Sequence, residues 1–324
     1  MWHTVGHDWA IDLLQHALKN GRLAHAFLLV GPEEIGKSTL ATELAAALNC
    51  SGAEPPCQAC LACRKTLSGT HPDVTRVEPQ NGRIKIDQIR DLQRQVSLSP
   101  YEGRTRVCLI TDLHLATTEA ANALLKTLEE PPPRVILVLT ATDIGLLLPT
   151  VVSRCQVLAL RPVATEVIIR LLCDHEHCSP EQATMIARWA AGRIGWALCA
   201  ARDPGLLSAR QQQMDNLVTL LNQKRVERLR MVEGLSKREN LHEILQLWQV
   251  WWRDVVLVAS NCADLVTNSD RMDTLHLLAQ AYGIGSAGSA YRNVGSTLEM
   301  LEQNVNPRLA LEGLVLSWNK TQTA

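Results

Sequence analysis

A glycine-rich loop followed by a lysine and a hydroxyl group is the first feature of the sequence that could do chemistry. The stretch GPEEIGKST, residues 31–39, fits the pattern G-x-x-x-x-G-K-[S/T] at every fixed position. Between a strand and a helix, such a loop directs backbone N–H groups and the positive end of the helix dipole at one point, which suits a polyphosphate. Lys37 would reach the β and γ phosphates, and Ser38 would ligate Mg²⁺. The predicted nucleotide-binding residues are Gly31, Gly36, Lys37, Ser38 and Thr39.

ATP hydrolysis requires a second feature, an acidic pair at the end of another strand that positions Mg²⁺ and the attacking water. The stretch RVCLITDLHL, residues 106–115, contains the candidate strand and its end. Thr111 and Asp112 stand where an ATP-hydrolysing protein would have Asp followed by Glu. Thr111 has no charge for the metal, and a shift of one residue that makes Asp112 the metal ligand leaves Leu113 where the base belongs. The acidic pair is incomplete in either alignment, and Asp112 is its acidic member.

Four of the ten cysteines form a cluster in the stretch CSGAEPPCQACLAC, namely Cys50, Cys57, Cys60 and Cys63. Four thiolates at this spacing can close a tetrahedral shell around Zn²⁺, and because protein fills every position the metal would be structural. The alternative is free or redox-active cysteines, since Cys57 with Cys60, or Cys60 with Cys63, forms a C-x-x-C pair. Overlapping pairs at this density favour zinc.

Two further stretches place polar residues beside predicted elements. ANALLKTLEEPP, residues 121–132, reads as an amphipathic helix that ends at Pro131. In SRC, residues 153–155, Arg154 follows a turn and precedes a strand, where it could project to a phosphate bound by a neighbouring subunit. An arginine in such a place more often forms a surface ion pair. The residues alone leave both roles open.

The elements that must position these residues follow from hydrophobic periodicity. Short apolar runs alternate with helical patterns from about residue 24 to residue 160, as a parallel sheet with crossover helices requires. Beyond residue 161 the pattern is helical, with breaks at Gly192 and at the glycine-rich stretch 283–288, among others. The predicted strands are residues 26–30, 73–77, 106–110, 135–140 and 156–160, and a helix is predicted at 86–98.

A predicted helix in the last third of the chain has a wide apolar face that includes Leu245, Trp248, Trp251, Trp252 and Val255. Such a face is typical of a buried core helix, and less often of a subunit interface. We expect a core helix.

Composition limits the class of protein. With 324 residues and 46% apolar content, the chain can form two or three domains with buried cores. The net charge of −1 gives no global positive field, so any DNA contact would be local. Arg83, Lys85, Arg90 and Arg94 are candidates for such a contact, although a solvated helix face is the commoner explanation. We see no leader pattern and no apolar stretch of the roughly 20 residues that cross a bilayer, and we expect a cytoplasmic protein.

Taken together, several motifs resemble the clamp-loader subunits of bacterial DNA polymerase III, and among them the delta-prime type. They are, in order, HAFLLVGPEEIGKST, the cysteine cluster, GTHPDV, ANALLKTLEEPP and SRC, and the resemblance covers residues 1–205. It implies an α/β plus all-α protein with an AAA+ type, RecA-like P-loop domain at residues 1–161 that carries a zinc-binding insertion at 50–63. A small helical lid domain at 162–205 and a helical C-terminal collar domain for oligomerisation at 206–324 would follow.

The resemblance also implies partners and a role. The chain would join gamma, tau and delta types of subunit in a hetero-pentamer of the DNA-directed DNA polymerase holoenzyme, a nucleotidyltransferase, which loads the sliding clamp on primed DNA during replication. Arg154 would be the arginine finger that completes the ATP site of an adjacent subunit. Gly195 stands where an ATP-hydrolysing relative has a sensor arginine, and Arg193 lies roughly 200° away around a helix. Because Thr111 and Gly195 both depart from the ATP-hydrolysing pattern, we predict a stator that holds ATP and Mg²⁺ without hydrolysis.

Two other functions fit the phosphate-binding pattern. An ATP-hydrolysing subunit of the gamma or tau type would use the complete loop at residues 31–38. A small-molecule phosphotransferase would also need an arginine-rich substrate pocket, for which the sequence offers no candidate. A sensor residue is expected among residues 140–143, after the fourth strand, and the sequence does not decide which of them it is.

Overall fold

The computed structural model describes residues 2–238, 240–303 and 305–318. They form two compact units, one made of the chain up to Leu171 with Ala190–Trp196, and one made of Leu172–Trp189 with the chain from Ala197 onward. Within the described residues, no helix is both long and apolar enough to cross a lipid bilayer. The domain boundaries at residues 161 and 205 stay predictions, and residues 319–324 of the predicted C-terminal domain lie outside the described residues.

A five-stranded parallel sheet forms the centre of the first unit. Its strands are β1 (Ala26–Val30), β2 (Val74–Val77), β3 (Arg106–Ile110), β4 (Val135–Ala141) and β5 (Gln156–Ala159). They lie in the order β2-β3-β4-β1-β5, so that β1 is flanked by two strands that follow much later in the chain. Each predicted strand is confirmed to within one residue at each end, and so is the α/β core with a parallel sheet.

Helices cover both faces of the sheet and predominate in the rest of the described chain. The helices are α1 (Asp8–Lys19), α2 (Lys37–Leu48), α3 (Leu61–Leu67), α4 (Ile86–Val96), α5 (Thr118–Glu129), α6 (Pro149–Val152), α7 (Thr165–His175), α8 (Pro180–Ala190), α9 (Ile194–Arg202), α10 (Pro204–Asn222), α11 (Arg225–Leu235), α12 (Leu241–Ala259), α13 (Met272–Glu302) and α14 (Pro307–Ser317).

Alternating residues of β1 show why its sequence is apolar throughout. Phe27 and Leu29 pack in one hydrophobic core with residues of α1 and α2, while Leu28 and Val30 pack in another with residues of α4 and α5. Because both faces of a parallel strand are covered by helices, every position must be apolar. The sheet thereby holds the ends of its strands, and the loops that follow them, in fixed positions.

The second unit is helical, and α12 lies in its core. Trp248, Trp251 and Trp252 are buried, as the core prediction requires. The helix α13 is interrupted at Gly283, whose φ of +63° departs from helical geometry. The other glycines of the predicted break, Gly285 among them, are helical, so the break is confined to a single residue.

A buried carboxylate, Asp73, fixes the loop that leads into β3. It accepts hydrogen bonds from the backbone N–H groups of Tyr101, Glu102 and Gly103, at 2.6, 2.9 and 2.7 Å, and from Nη2 of Arg106 at 3.1 Å. Burial opposes ionisation of this group. The hydrogen bonds and the charge of Arg106 outweigh it, and they lower the pKa of Asp73 below its ordinary value of 3.8.

We expect Asp73→Asn to lower the free energy of unfolding of the first unit by about 3 kcal/mol at neutral pH, because an amide NH₂ would face N–H donors. A carboxylate with a lowered folded-state pKa contributes stability above its ordinary pKa and loses it as the pH falls through the folded-state pKa. The difference between the two proteins should therefore shrink below about pH 4. Urea unfolding followed by circular dichroism, at neutral pH and at about pH 3.5, measures both values.

Asp143→Asn is the matched control for this prediction. Its Oδ1 atom also accepts a backbone hydrogen bond, from Gly145 at 2.7 Å, but Asp143 is exposed. We expect that change to cost no more than about 1 kcal/mol. A difference for Asp73→Asn that stays constant with pH would contradict the assigned role of the carboxylate.

Candidate functional site

The phosphate loop, residues 31–36, joins β1 to α2 as predicted. A Cβ atom at Gly31 would lie 2.5 Å from the carbonyl oxygen of Leu160, so only glycine allows this close approach. Gly36 has a φ of +105° at the start of α2, a conformation that favours glycine. Ser38 and Thr39 are exposed on the first turn of α2. The backbone geometry of a phosphate loop is therefore present, while nucleotide binding by these residues stays a prediction.

Lys37 turns its ammonium group back onto the phosphate loop. Its Nζ atom donates hydrogen bonds to the carbonyl oxygens of Gly31 and Pro32, each at 2.6 Å, and the residue is buried. Burial lowers the pKa of Lys37, and the carboxylates of Asp112 and Glu33 partly offset this effect. The group predicted to bind phosphate is thus held by carbonyl oxygens of its own loop.

Asp112 follows β3 in a left-handed backbone conformation, with a φ of +51°. Its backbone N–H group donates to Oγ1 of Thr140 at 2.9 Å, and Thr140 is buried near the end of β4. Of the residues 140–143, Thr140 therefore makes a hydrogen bond with Asp112, the acidic member of the incomplete pair. The side chain of Asp112 is close enough to Lys37 to influence its pKa.

His114, which the sequence analysis did not select, lies in the same area. Burial lowers the pKa of His114; Asp112 and Glu33 oppose the shift, and Lys37 adds to it. Its Nδ1 atom is buried and has no hydrogen-bond partner among the described residues. The signal that could have indicated it is a histidine within the short apolar turn LHL that follows Asp112.

Gly195 contacts the phosphate loop through its backbone. Its N–H group donates to the carbonyl oxygen of Glu34 at 2.7 Å, and a Cβ atom at this position would lie 2.9 Å from the same oxygen. Arg193 stacks 5.9 Å from the ring centre of Trp196, and its Nε atom donates to the carbonyl oxygen of Ala190. In this structure neither residue presents a guanidinium to the phosphate loop.

The four clustered cysteines meet after α2 and at the start of α3. Their sulfur atoms all lie within 4.8 Å of one another, so the cluster could hold a metal ion. The backbone N–H groups of Cys57, Cys60 and Cys63 donate to the sulfurs of Cys50, Cys57 and Cys60, at 3.3 to 3.4 Å. Such bonds stabilise thiolates. The set of four soft sulfur donors fits a tetrahedral metal such as zinc.

Arg154 lies after α6, directly before β5. Its Nη2 atom is 2.7 Å from Oε1 of Glu129, the last residue of α5, and its Nη1 atom donates to the carbonyl oxygen of Thr150 at 2.8 Å. The side chain remains 34% exposed. The chain thus contains the surface ion pair that the sequence left open for Arg154, while the arginine-finger role stays a prediction.

The basic residues near α4 are also at the surface. Arg90 lies 3.6 Å from Asp87, and Arg94 pairs with Asp91, in both cases within one turn of the helix. Arg83 and Lys85 are exposed. Ion pairs within a helix are typical of a solvated face, and a DNA contact here stays a prediction.

Two protein-family models match the chain. One, described as "DNA polymerase III, delta subunit", matches residues 6–164, and a second, described as "DNA polymerase III, delta subunit, C terminal", matches residues 204–320. The chain belongs to this family of DNA polymerase III subunits.

The individual relatives are DNA polymerase III subunits of two kinds. The delta-prime subunit of Bacillus subtilis is 28% identical over 312 residues, which cover 94% of each chain. The tau subunit of Escherichia coli is 35% identical over 202 residues, 60% of this chain and 31% of tau. The gamma subunit of Buchnera aphidicola is 35% identical over 170 residues, 52% of this chain and 47% of gamma. The chain therefore spans about half or less of these gamma and tau relatives.

Among solved structures, a DNA polymerase III gamma subunit-related protein from Thermotoga maritima matches 94% of this chain and 97% of its own. The TM-score is 0.48 and the sequence identity is 20%.

Proposed function

We propose that this subunit is a delta-prime-type stator of the DNA polymerase III clamp loader, and that Arg154 completes the ATP site of a neighbouring subunit. The position of Arg154 relative to the sheet carries the proposal. β5 runs parallel to β1, with Phe27 opposite Gln156 and Val30 opposite Ala159. Arg154 precedes β5, whereas the phosphate loop follows the other end of β1, roughly 13 Å away along the strands. An arginine at the start of β5 is therefore far from the phosphate loop of its own chain, and it can contact a phosphate bound by another chain.

The chain's own phosphate loop supports a stator rather than a motor. Thr111 provides no carboxylate for Mg²⁺, and Lys37 is held by two carbonyl oxygens of the loop. Gly195 supplies a backbone N–H group where a guanidinium would be needed. At these positions the chain thus lacks a carboxylate for Mg²⁺ and a guanidinium, and its lysine is held by the loop. The charge that develops on a transferring phosphate is therefore not neutralised from within the chain. ATP with Mg²⁺ would at most be held, not cleaved.

The cysteine cluster, the partners and the cellular compartment follow from the same role. Zn²⁺ bound by Cys50, Cys57, Cys60 and Cys63 would be structural, because four protein ligands leave no open position for chemistry. The partners would be gamma or tau and delta types of subunit in a hetero-pentamer that acts on the sliding clamp and primed DNA. Such a role would take place in the cytoplasm.

A gamma- or tau-type motor is the second candidate, favoured by the 35% identity to Escherichia coli tau. The change Lys37→Ala separates the two functions. In a motor it stops ATP hydrolysis by the assembled loader. In a stator we expect the loader to keep its rate, while the isolated chain loses about 1–3 kcal/mol of unfolding free energy because the carbonyl oxygens of Gly31 and Pro32 lose their donor.

Steady-state ATPase of the reconstituted loader and urea unfolding of the chain measure the two effects. Lys65→Ala is the control, since Lys65 forms only a partly exposed pair with Glu102, and its loss should cost at most about 1 kcal/mol. A loader stalled by Lys37→Ala, or magnesium-dependent ATP cleavage by the isolated wild-type chain, would favour the motor instead.

A further inference from the structure

The guanidinium of Arg154 contacts three acceptors within its own chain, and one of them, the hydroxyl of the adjacent Ser153, lies 3.3 Å from Nη1. The carbonyl oxygen of Thr150 lies one helical turn before Arg154 and accepts from Nη1 at 2.8 Å. The carboxylate of Glu129 lies 2.7 Å from Nη2 and comes from another helix, α5. The Thr150 contact is local and orients the side chain. The Glu129 contact neutralises its charge.

The location of Glu129 explains why this carboxylate attracts a cation. Glu129 and Glu130 stand at the end of α5, where the backbone carbonyl groups and the helix dipole create a negative potential. Two carboxylates at that end are electrostatically unfavourable unless a positive group approaches. Arg154 is the cation that the structure places against Glu129. The end of α5 therefore competes with any other anion for the guanidinium.

The ion pair between Arg154 and Glu129 is exposed enough for the arginine to exchange one anion for another. Its side chains are 34% and 49% exposed, so water can solvate the carboxylate as soon as the arginine leaves. Pairs of this exposure contribute little to stability, whereas a triphosphate carries several negative charges and accepts both arms of a guanidinium. We propose that Glu129 is a positioning residue for Arg154. It holds the guanidinium in the free subunit and yields it to the triphosphate of the neighbour. This inference rests on the proposed function of Arg154.

The test uses the fully reconstituted loader with the change Glu129→Gln in this chain. Removal of the competing charge should raise kcat/KM for ATP by about 1.5- to 5-fold at low salt, because the arginine no longer has to leave an ion pair. The rise should shrink as ionic strength increases. A residue that merely supports the local structure would lower kcat/KM, and would do so without this salt dependence.

Two matched variants control the experiment. Glu130→Gln removes the same charge from the same helix end, and within the described residues no hydrogen bond or ion pair joins Glu130 to Arg154, so kcat/KM should stay unchanged. In a chain that already carries Arg154→Ala, Glu129→Gln should have no further effect. An unchanged or reduced kcat/KM for Glu129→Gln, or an equal rise with Glu130→Gln, would overturn the inference. If Arg154→Ala alone leaves hydrolysis intact, the proposed function itself fails.

Discussion

Replacing Arg154 by alanine should slow ATP hydrolysis at the adjacent site of the assembled clamp loader by about 10³-fold or more. The guanidinium would contact the transferring phosphoryl group, where charge accumulates in the transition state, and the rest of that site cannot replace it. Single-turnover hydrolysis in the reconstituted loader measures the chemical step apart from product release. Arg154→Lys should recover only a part of the rate, because an ammonium group lacks the planar fork of two N–H donors.

The folded state of the chain should survive this change. Arg154 is at the surface, and loss of its pair with Glu129 should cost at most about 1 kcal/mol. Gel filtration should therefore show unaltered assembly. Arg161→Ala, an exposed arginine just after β5, is the control and should leave hydrolysis unchanged. Equal rates for wild type and Arg154→Ala would remove the basis for an arginine finger.

The sheet and the phosphate loop could be predicted because their signals are local. β1 is apolar at each position since helices cover both of its faces, and the spacing of Gly31, Gly36 and Lys37 belongs to one turn between a strand and a helix. The cysteine cluster is local in the same sense, with its four sulfurs supplied by fourteen consecutive residues. Short-range spacing was enough for all three predictions.

The contacts within the site depend on residues far apart in the chain, and single-sequence patterns do not encode them. Thr140 meets Asp112 only because β3 and β4 are neighbours in the sheet. Gly195 contacts Glu34, which lies about half of the chain length away in sequence. Only the fold shows that a side chain at this position would meet the backbone of the phosphate loop. The partner of Arg154 was equally hidden, since Glu129 is one of two adjacent glutamates and the sequence gives no reason to prefer it.

Loss of the metal should have the largest effect on the structure of this chain. We expect one Zn²⁺ per wild-type chain by elemental analysis and none for Cys57→Ser, because that change removes one of the four ligands. Structural zinc sites contribute roughly 10 kcal/mol or more to the folding of the segment that they hold. The helix α3 has 7 residues, begins directly after Cys60 and contains Cys63. A helix of that length is unstable by itself in water, so its order must come from the cluster and its packing.

Loss of zinc should therefore release α3 and make residues 51–67 sensitive to limited proteolysis, whereas the sheet, which has its own cores, should remain folded. Cys199→Ser is the matched control: this cysteine is exposed and stands outside the cluster, so both zinc content and protease resistance should be unchanged. Treatment of the wild type with a strong chelator should reproduce the Cys57→Ser pattern. If the chain instead contains no zinc and its cluster forms disulfides reversibly, the redox alternative is correct, because a cysteine that ligates zinc is not free to be oxidised.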